Sequence, residues 1–334
     1  MKPQEIKSLI MSRFKAKIKR PLHLESSPGI GKTQIAAQVA KELGVDFKAI
    51  HAPLLQPEDY GFPVISAKKD TVDFIVSRDK FPVEASPCAD SGIFLIDELS
   101  QADNSAQKVL AGLVQEREIH GQRLKPNWLI VTTGNRAVDR AGANRLLTHL
   151  GNRVTRIPME ASLDDWCNWA MANEINPEVI SFLRFRPDLL NSFDPQADCN
   201  PTPRAWAEGV SAALGVIEPA FENAVFTGDV GEGAAAEFCA FLKIFRELPS
   251  PDSILLNPTT APVPTKPAVL YALCGAMAYK TTGDNFGRVM TYMTRLPQEF
   301  SVLYIRDAIK RKPEIQTCPE FTKWAANEGA KLLS

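Results

Sequence analysis

The sequence predicts an α/β protein, a doubly wound parallel sheet followed by an all-helical lid and a helical C-terminal extension. Three observations carry that prediction. The first 160 residues alternate short apolar runs with helix-period segments. Two of the runs, in SGIFLIDE (91–98) and NWLIVTTGN (127–135), are apolar without alternation, as strands buried on both faces of a parallel sheet require. From about residue 162 only helix-like segments follow, broken by Pro, Gly, Asn and Asp.

PLHLES (21–26) reads as the first short strand of the sheet. KTQIAAQVAKELG (32–44) reads as a helix, with Ile35, Val39 and Leu43 on one face and Gly44 as its stop. DFKAIHA (46–52) is the second strand. VISAKKDTVDFIV alternates apolar and polar residues around Lys68, Lys69 and Asp70, a β-hairpin pattern inside an insertion at 56–83. SGIFLIDE is the third strand, ending in two acids. ADNSAQKVLAGLVQER (102–117) is a helix that Asp103 or Asn104 could cap. EREIHGQRLKPN (116–127) reads as a second hairpin centred on His120 and Gly121, with His120 a turn residue. NWLIVTTGN and RVTRIPM (153–159) complete the sheet. The expected organisation is an α/β domain at 1–160, a helical lid at 161–247, and a helical extension at 248–334 behind the proline-rich linker LPSPDSILLNPTTAPVPTKP.

The chain has 334 residues, 45% hydrophobic and 23% charged, with a net charge of −1. That balance argues against a chain-wide electrostatic grip on nucleic acid. RFKAKIKR (13–20) is the densest local exception; a solvated helix face is its plainer reading. Six cysteines lie outside any C-x-x-C pair and at no ligand spacing from a histidine, so the reading is reduced thiols in a cytoplasmic protein, without zinc or a disulfide framework. No secretory signal or membrane insertion is expected.

The chemistry gathers at three strand ends. ESSPGIGKT (25–33) places Ser27, Pro28, Gly29, Ile30, Gly31, Lys32 and Thr33 between a strand and a helix. Backbone N–H groups of such a loop wrap phosphates, lysine neutralises them, and the Thr33 hydroxyl can ligate Mg²⁺. Ser26 stands where phosphate loops usually carry their first glycine. Asp97, 65 residues after Lys32, can hold Mg²⁺ with Thr33, and Glu98 can act as general base on water. Asn135 ends the next buried strand and could orient that water. No Asn-Lys-x-Asp guanine-reading motif is present, which favours ATP over GTP.

Together SSPGIGKT, FLIDELSQAD, VTTGNR and TPRAW resemble the AAA+ ATPase superfamily over about residues 20 to 215, and most closely its MoxR-like branch. The resemblance implies a Mg-dependent ATPase in a homo-oligomeric ring, a hexamer first. It implies an arginine finger given in trans, best matched by Arg153, with Arg145 and Arg156 as alternatives. Arg204 matches the lid arginine of the second sensor. The first hairpin matches an insertion that faces the ring pore and engages partners in that branch, and the second corresponds to the hairpin before the first sensor. A protein substrate follows, remodelled by a motor or chaperone, with a von Willebrand A domain protein the first partner to seek. Two readings compete: a nucleic-acid motor or loader, prompted by RFKAKIKR and by Lys68, Lys69, Arg78 and Lys80, and a nucleotide-gated assembly scaffold without turnover. Residues 216–334 carry no motif of assigned chemistry.

Overall fold

The structure is a computed structural model and describes residues 1–65, 71–136, 146–246, 248 and 250–327. The chain divides into two compact units, Met1–Ser162 with Phe193–Gln196, and Leu163–Ser192 with Ala197–Ser334.

In the first unit the elements run α1 (Pro3–Lys15), β1 (Leu22–Ser26), α2 (Lys32–Leu43), β2 (Asp46–His51), α3 (Pro57–Tyr60), β3 (Phe62–Ile65), β4 (Val72–Ile75), β5 (Ser91–Asp97), α4 (Asn104–Glu116), β6 (Glu118–Ile119), β7 (Gln122–Arg123), β8 (Asn127–Asn135), α5 (Thr148–Gly151) and β9 (Thr155–Pro158). Five strands make one parallel sheet in the order β2-β5-β8-β1-β9. The unpatterned apolar runs have the expected cause. In β5, Ile93 and Leu95 join one core with Leu22, Leu24 and Val131 and with Ile6, Ile10, Ile35 and Val39 of α1 and α2. Phe94 and Ile96 join a second core with Ile130 and with Leu110, Leu113 and Val114 of α4. Both faces of β5 are therefore covered, and each apolar side chain removed from water stabilises the unit by ~1.5–3 kcal/mol.

Helix ends follow local chemistry. Gly44 closes α2 in a left-handed conformation, φ 64°, that lets its N–H reach the Lys41 and Ala40 carbonyls. Asp103 caps α4 by accepting from the Ala106 N–H at 2.7 Å. Strands β3 and β4 pair antiparallel, Phe62 opposite Ile75 and Ile65 opposite Val72. Lys68, Lys69 and Asp70, at the expected turn of that hairpin, lie outside the described residues. The pair β6–β7 turns through His120, φ 46°, and Gly121, φ 77°. The His120 ring stacks on Phe74 of β4, centroids 4.4 Å apart, so its role in the fold is packing as well as turning.

The second unit is helical: α6 (Leu163–Ala172), α7 (Pro177–Phe185), a π-helical turn Ala205–Val210 leading into α8 (Ser211–Ala213), α9 (Glu222–Val230), α10 (Glu232–Arg246), α11 (Pro251–Leu256), α12 (Pro267–Lys280), α13 (Phe286–Met293), α14 (Gln298–Arg311) and α15 (Pro319–Asn327). Phe182, Trp206 and Phe238 meet at centroid distances of 5.1–5.5 Å. Arg184 of α7 and Asp307 of α14 form a buried two-bond ion pair, Nη2 to Oδ1 at 2.8 Å and Nη1 to Oδ2. The proline-rich stretch expected as a bare linker is partly folded. It holds α11, and Ile254 and Ala261 are buried in the core built by α12, α13 and α14. Its apolar residues, once fixed by flanking prolines, find more burial there than in solvent. Among the described residues no helix is long and apolar enough to cross a membrane.

Candidate nucleotide-binding site

The parallel register brings one row of side chains to the carboxyl ends of four strands. Ser26 pairs with Asn135, His51 with Asp97, and Ile96 with Thr132, so Asp97 and Thr133 come next to each other. In an open α/β sheet this edge is where ligands bind.

The loop between β1 and α2 turns through Gly29, φ 75°, and Gly31, φ 95°. Residues with a Cβ are strained at both dihedrals, so glycine is needed there. The turn presents the amino end of α2, whose first N–H groups have no partner within the helix, and whose dipole favours an anion. Lys32 is 8% exposed and folds back on the loop. Its Nζ donates to Ser26 Oγ at 2.9 Å, Asn135 Oδ1 at 2.9 Å and Ser27 O at 3.2 Å, with Ser26 O at 3.4 Å. Ser26 Oγ in turn donates to Ser27 O at 2.8 Å. The residue that breaks the glycine pattern thus supplies an acceptor to the lysine, a role nothing in the pattern itself announces.

Next door, Thr33 Oγ1 donates to Asp97 Oδ2 at 2.7 Å. Thr133 Oγ1 donates to Asp97 Oδ1 and accepts from the Glu98 N–H at 2.8 Å. Glu98 stands in the left-handed region, φ 55° and ψ 36°, which costs a non-glycine residue ~1–2 kcal/mol. The turn aims its carboxylate at His51, Oε2 to Nε2 3.0 Å, while His51 Nδ1 lies 3.9 Å from Asp97 Oδ2. Gly134 permits the close approach of the segment after Glu98: a Cβ there would lie 2.5 Å from Ser100 Oγ and 3.0 Å from the His23 ring.

The donor set fits the expected groups. A threonine hydroxyl and a carboxylate, adjacent at a helix amino end, are the hard oxygen ligands Mg²⁺ takes, with phosphate and water filling the rest. Two glycines at positive φ, one buried lysine and a helix amino end suit a polyphosphate.

The arginines are placed differently. Arg153 is exposed after α5 and makes no ion pair among the described residues. Arg156 on β9 is engaged within its own chain: Nη2 and Nε donate to Glu25 Oε1 at 2.6 and 3.0 Å. The His23 ring, Nε2 3.5 Å from Oε1, and then Arg156 hold the Glu25 carboxyl below its usual range. Arg145 lies outside the described residues. Arg204 belongs to the second unit, just before the π-helical turn, with Nε 4.0 Å from Glu208. Sequence reasoning missed His51 and Thr133. Both sit on strands whose register, once known, puts them beside the acids, but a lone histidine at a strand end carries no signal of its partner.

Residues 22–157 match the family model described as ATPase family associated with various cellular activities (AAA). No curated protein matches the chain. Among solved structures, a candidate ATPase from Cytophaga hutchinsonii is 17% identical, with 92% of this chain and 79% of that one covered, at a TM-score of 0.35. NtrX from Brucella abortus is 12% identical, with 90% and 67% covered, at a TM-score of 0.39. The same protein in complex with ATP is 14% identical, with 97% and 68% covered, at 0.36.

Proposed function

We propose that this chain, whose residues 22–157 match the AAA family model, hydrolyses ATP in a homo-oligomeric ring of the MoxR type, a hexamer first, and uses the energy to remodel a protein partner. One observation carries the reading: Lys32, Thr33, Asp97, Glu98 and Asn135 meet at the carboxyl ends of β1, β5 and β8, joined by the Lys32–Asn135 and Thr33–Asp97 bonds.

Each residue has a task set by its chemistry. Ser27 to Gly31 wrap the phosphates with backbone N–H groups. Lys32 leaves its oxygen cradle to meet the terminal phosphates. Thr33 and Asp97 would hold Mg²⁺, which when bound offsets phosphate charge. Glu98 takes a proton from the attacking water, which Asn135 orients. Arg153, exposed and without an ion pair among the described residues, is the finger offered to a neighbouring subunit, and Arg204 is the lid arginine. Arg156, occupied by Glu25, is the poorer finger. The β3–β4 hairpin, with Phe62, Ile65, Val72 and Ile75 exposed, supports action on a protein, and a von Willebrand A domain protein is the first partner to seek.

The test is phosphate release under multiple turnover. Glu98→Gln should lose ~10²–10⁴ in rate while retaining ATP. Equal rates would remove Glu98 from the chemistry. Mixing Arg153→Ala with Lys32→Ala subunits should restore part of the activity, because a mixed interface pairs an intact loop with an intact arginine. No restoration at any ratio would assign the finger elsewhere.

A further inference from the structure

A second polar cluster lies at the opposite edge of the same sheet. Ser91 opens β5 and Asn127 opens β8. Beside them a groove of about 240 Å³ is lined by Arg13, Phe14, Lys17, Ile18, Lys19, Trp128 and Leu129. The nine residues of β8 set this groove ~25 Å from Asn135, so the two sites cannot share one small ligand.

The cations here lack counter-charges. Among the described residues Lys7 of α1 pairs with Glu42, but no carboxylate lies within 4.0 Å of Arg13, Lys15, Lys17, Lys19 or Arg20. Arg13 Nε is buried without a hydrogen-bond partner, and so is Arg117 Nη1. Arg117 is tied behind the groove by its Nη2, which donates to Trp128 O at 2.7 Å and Lys125 O at 3.1 Å. The charges feel one another. Burial and then Arg20 lower the Arg13 pKa, and burial, Arg117 and Lys17 lower that of Lys19. The backbone adds an independent sign. Helix α1 ends with the Ile18 N–H on the Arg13 carbonyl at 3.1 Å, a left-handed closure whose turning residue is Lys17, φ 55°. Glycine fills that position without strain, yet here the position carries a cation that the closure projects from the helix end.

We propose that this groove binds the phosphodiester backbone of single-stranded nucleic acid, with Arg13, Lys17 and Lys19 as the phosphate contacts. A guanidinium beside two ammonium groups, with no carboxylate near them among the described residues, suits phosphate oxygens. The apolar floor of Phe14, Ile18 and Leu129, rimmed by Ser91 and Asn127, suits a sugar or base edge better than it suits a run of carboxylates. Buried Trp128 excludes stacking as the main grip, so binding should depend on backbone charge and be indifferent to sequence. The inference concerns a site apart from the nucleotide loop and stands or falls without it.

The experiment is fluorescence anisotropy of a labelled 20-mer of thymidine with the full chain, between 50 and 200 mM KCl. Three contacts predict a slope of log K against log salt of about −2.1, about −0.7 per contact for a single strand. The exposed pair Lys17→Gln and Lys19→Gln should cut the slope by about two-thirds and weaken binding equally on thymidine and mixed-sequence strands. Lys17→Gly checks folding: its melting temperature should not fall, while it loses one contact's worth of slope. No binding at 50 mM KCl, an unchanged slope in the double variant, or equal binding of a 20-residue polyglutamate peptide would each overturn the proposal.

Discussion

Ser26→Ala is the sharpest test of how the phosphate loop is set. The Lys32 ammonium has three protons and is already within 3.4 Å of four protein oxygens. A phosphate oxygen must displace at least one of them. The Ser26 hydroxyl, at 2.9 Å, is among the two nearest. A hydrogen bond to a charged group contributes ~1.5–3 kcal/mol. The Ser26 carbonyl can take up the freed proton, so the lower end applies, ~1.5 kcal/mol or roughly a factor of ten. Ser26→Ala should therefore bind ATP about tenfold more tightly, because the competing acceptor is gone. Without nucleotide its melting temperature should fall by about 3–6 °C, from the same lost bond. Calorimetric titration in a Glu98→Gln background avoids turnover and reads the affinity directly. Unchanged or weaker binding in the variant would show that the hydroxyl stays on the lysine when phosphate arrives, and the competition argument would be wrong.

Asp307→Ala strands the buried guanidinium of Arg184, so denaturant unfolding should show a loss of ~3–5 kcal/mol, partly recovered when Arg184→Met is added. Gly92→Ala places a Cβ 2.6 Å from the Asp46 carbonyl and 2.8 Å from the Trp128 ring; thermal unfolding should show a destabilisation of ~1–3 kcal/mol. Arg156→Met removes one of the groups that lower the Glu25 pKa. The wild type should be the more stable above the usual value of 4.5, by no more than ~1 kcal/mol for so exposed an arginine. That advantage should vanish as pH falls through the lowered folded value, and urea unfolding at pH 7 and pH 3 checks it.

Much of the fold was legible because its signals are local. Short apolar runs without alternation, bounded by turn residues, read as two-faced strands, and Gly44 and Asp103 mark helix ends by their own chemistry. The turn between β1 and α2 was legible for the same reason: Gly29 and Gly31 take their positive φ through adjacent backbone. What the sequence could not disclose depends on register between distant strands. His51 meets Glu98 and Thr133 meets Asp97 only because β2, β5 and β8 align at their carboxyl ends. Arg156 offered the same face to the reader as Arg153 until pairing of β1 with β9 set it beside Glu25. The folded part of 248–267 was hidden because prolines dominate the local pattern, while burial of Ile254 and Ala261 is decided by helices that come later.

The strand order also sets a timetable for synthesis. Strand β1 carries the start of the phosphate loop, yet its two neighbours in the sheet are β8 and β9. About 100 residues separate Ser26 from Asn127, so at ~5–20 residues per second the ribosome leaves β1 unpartnered for ~5–20 s. During that interval Leu22 and Leu24, fully buried at the end, have no sheet to enter. Strand β1 is thus the segment that a holding chaperone, or a mischance of aggregation, would reach first.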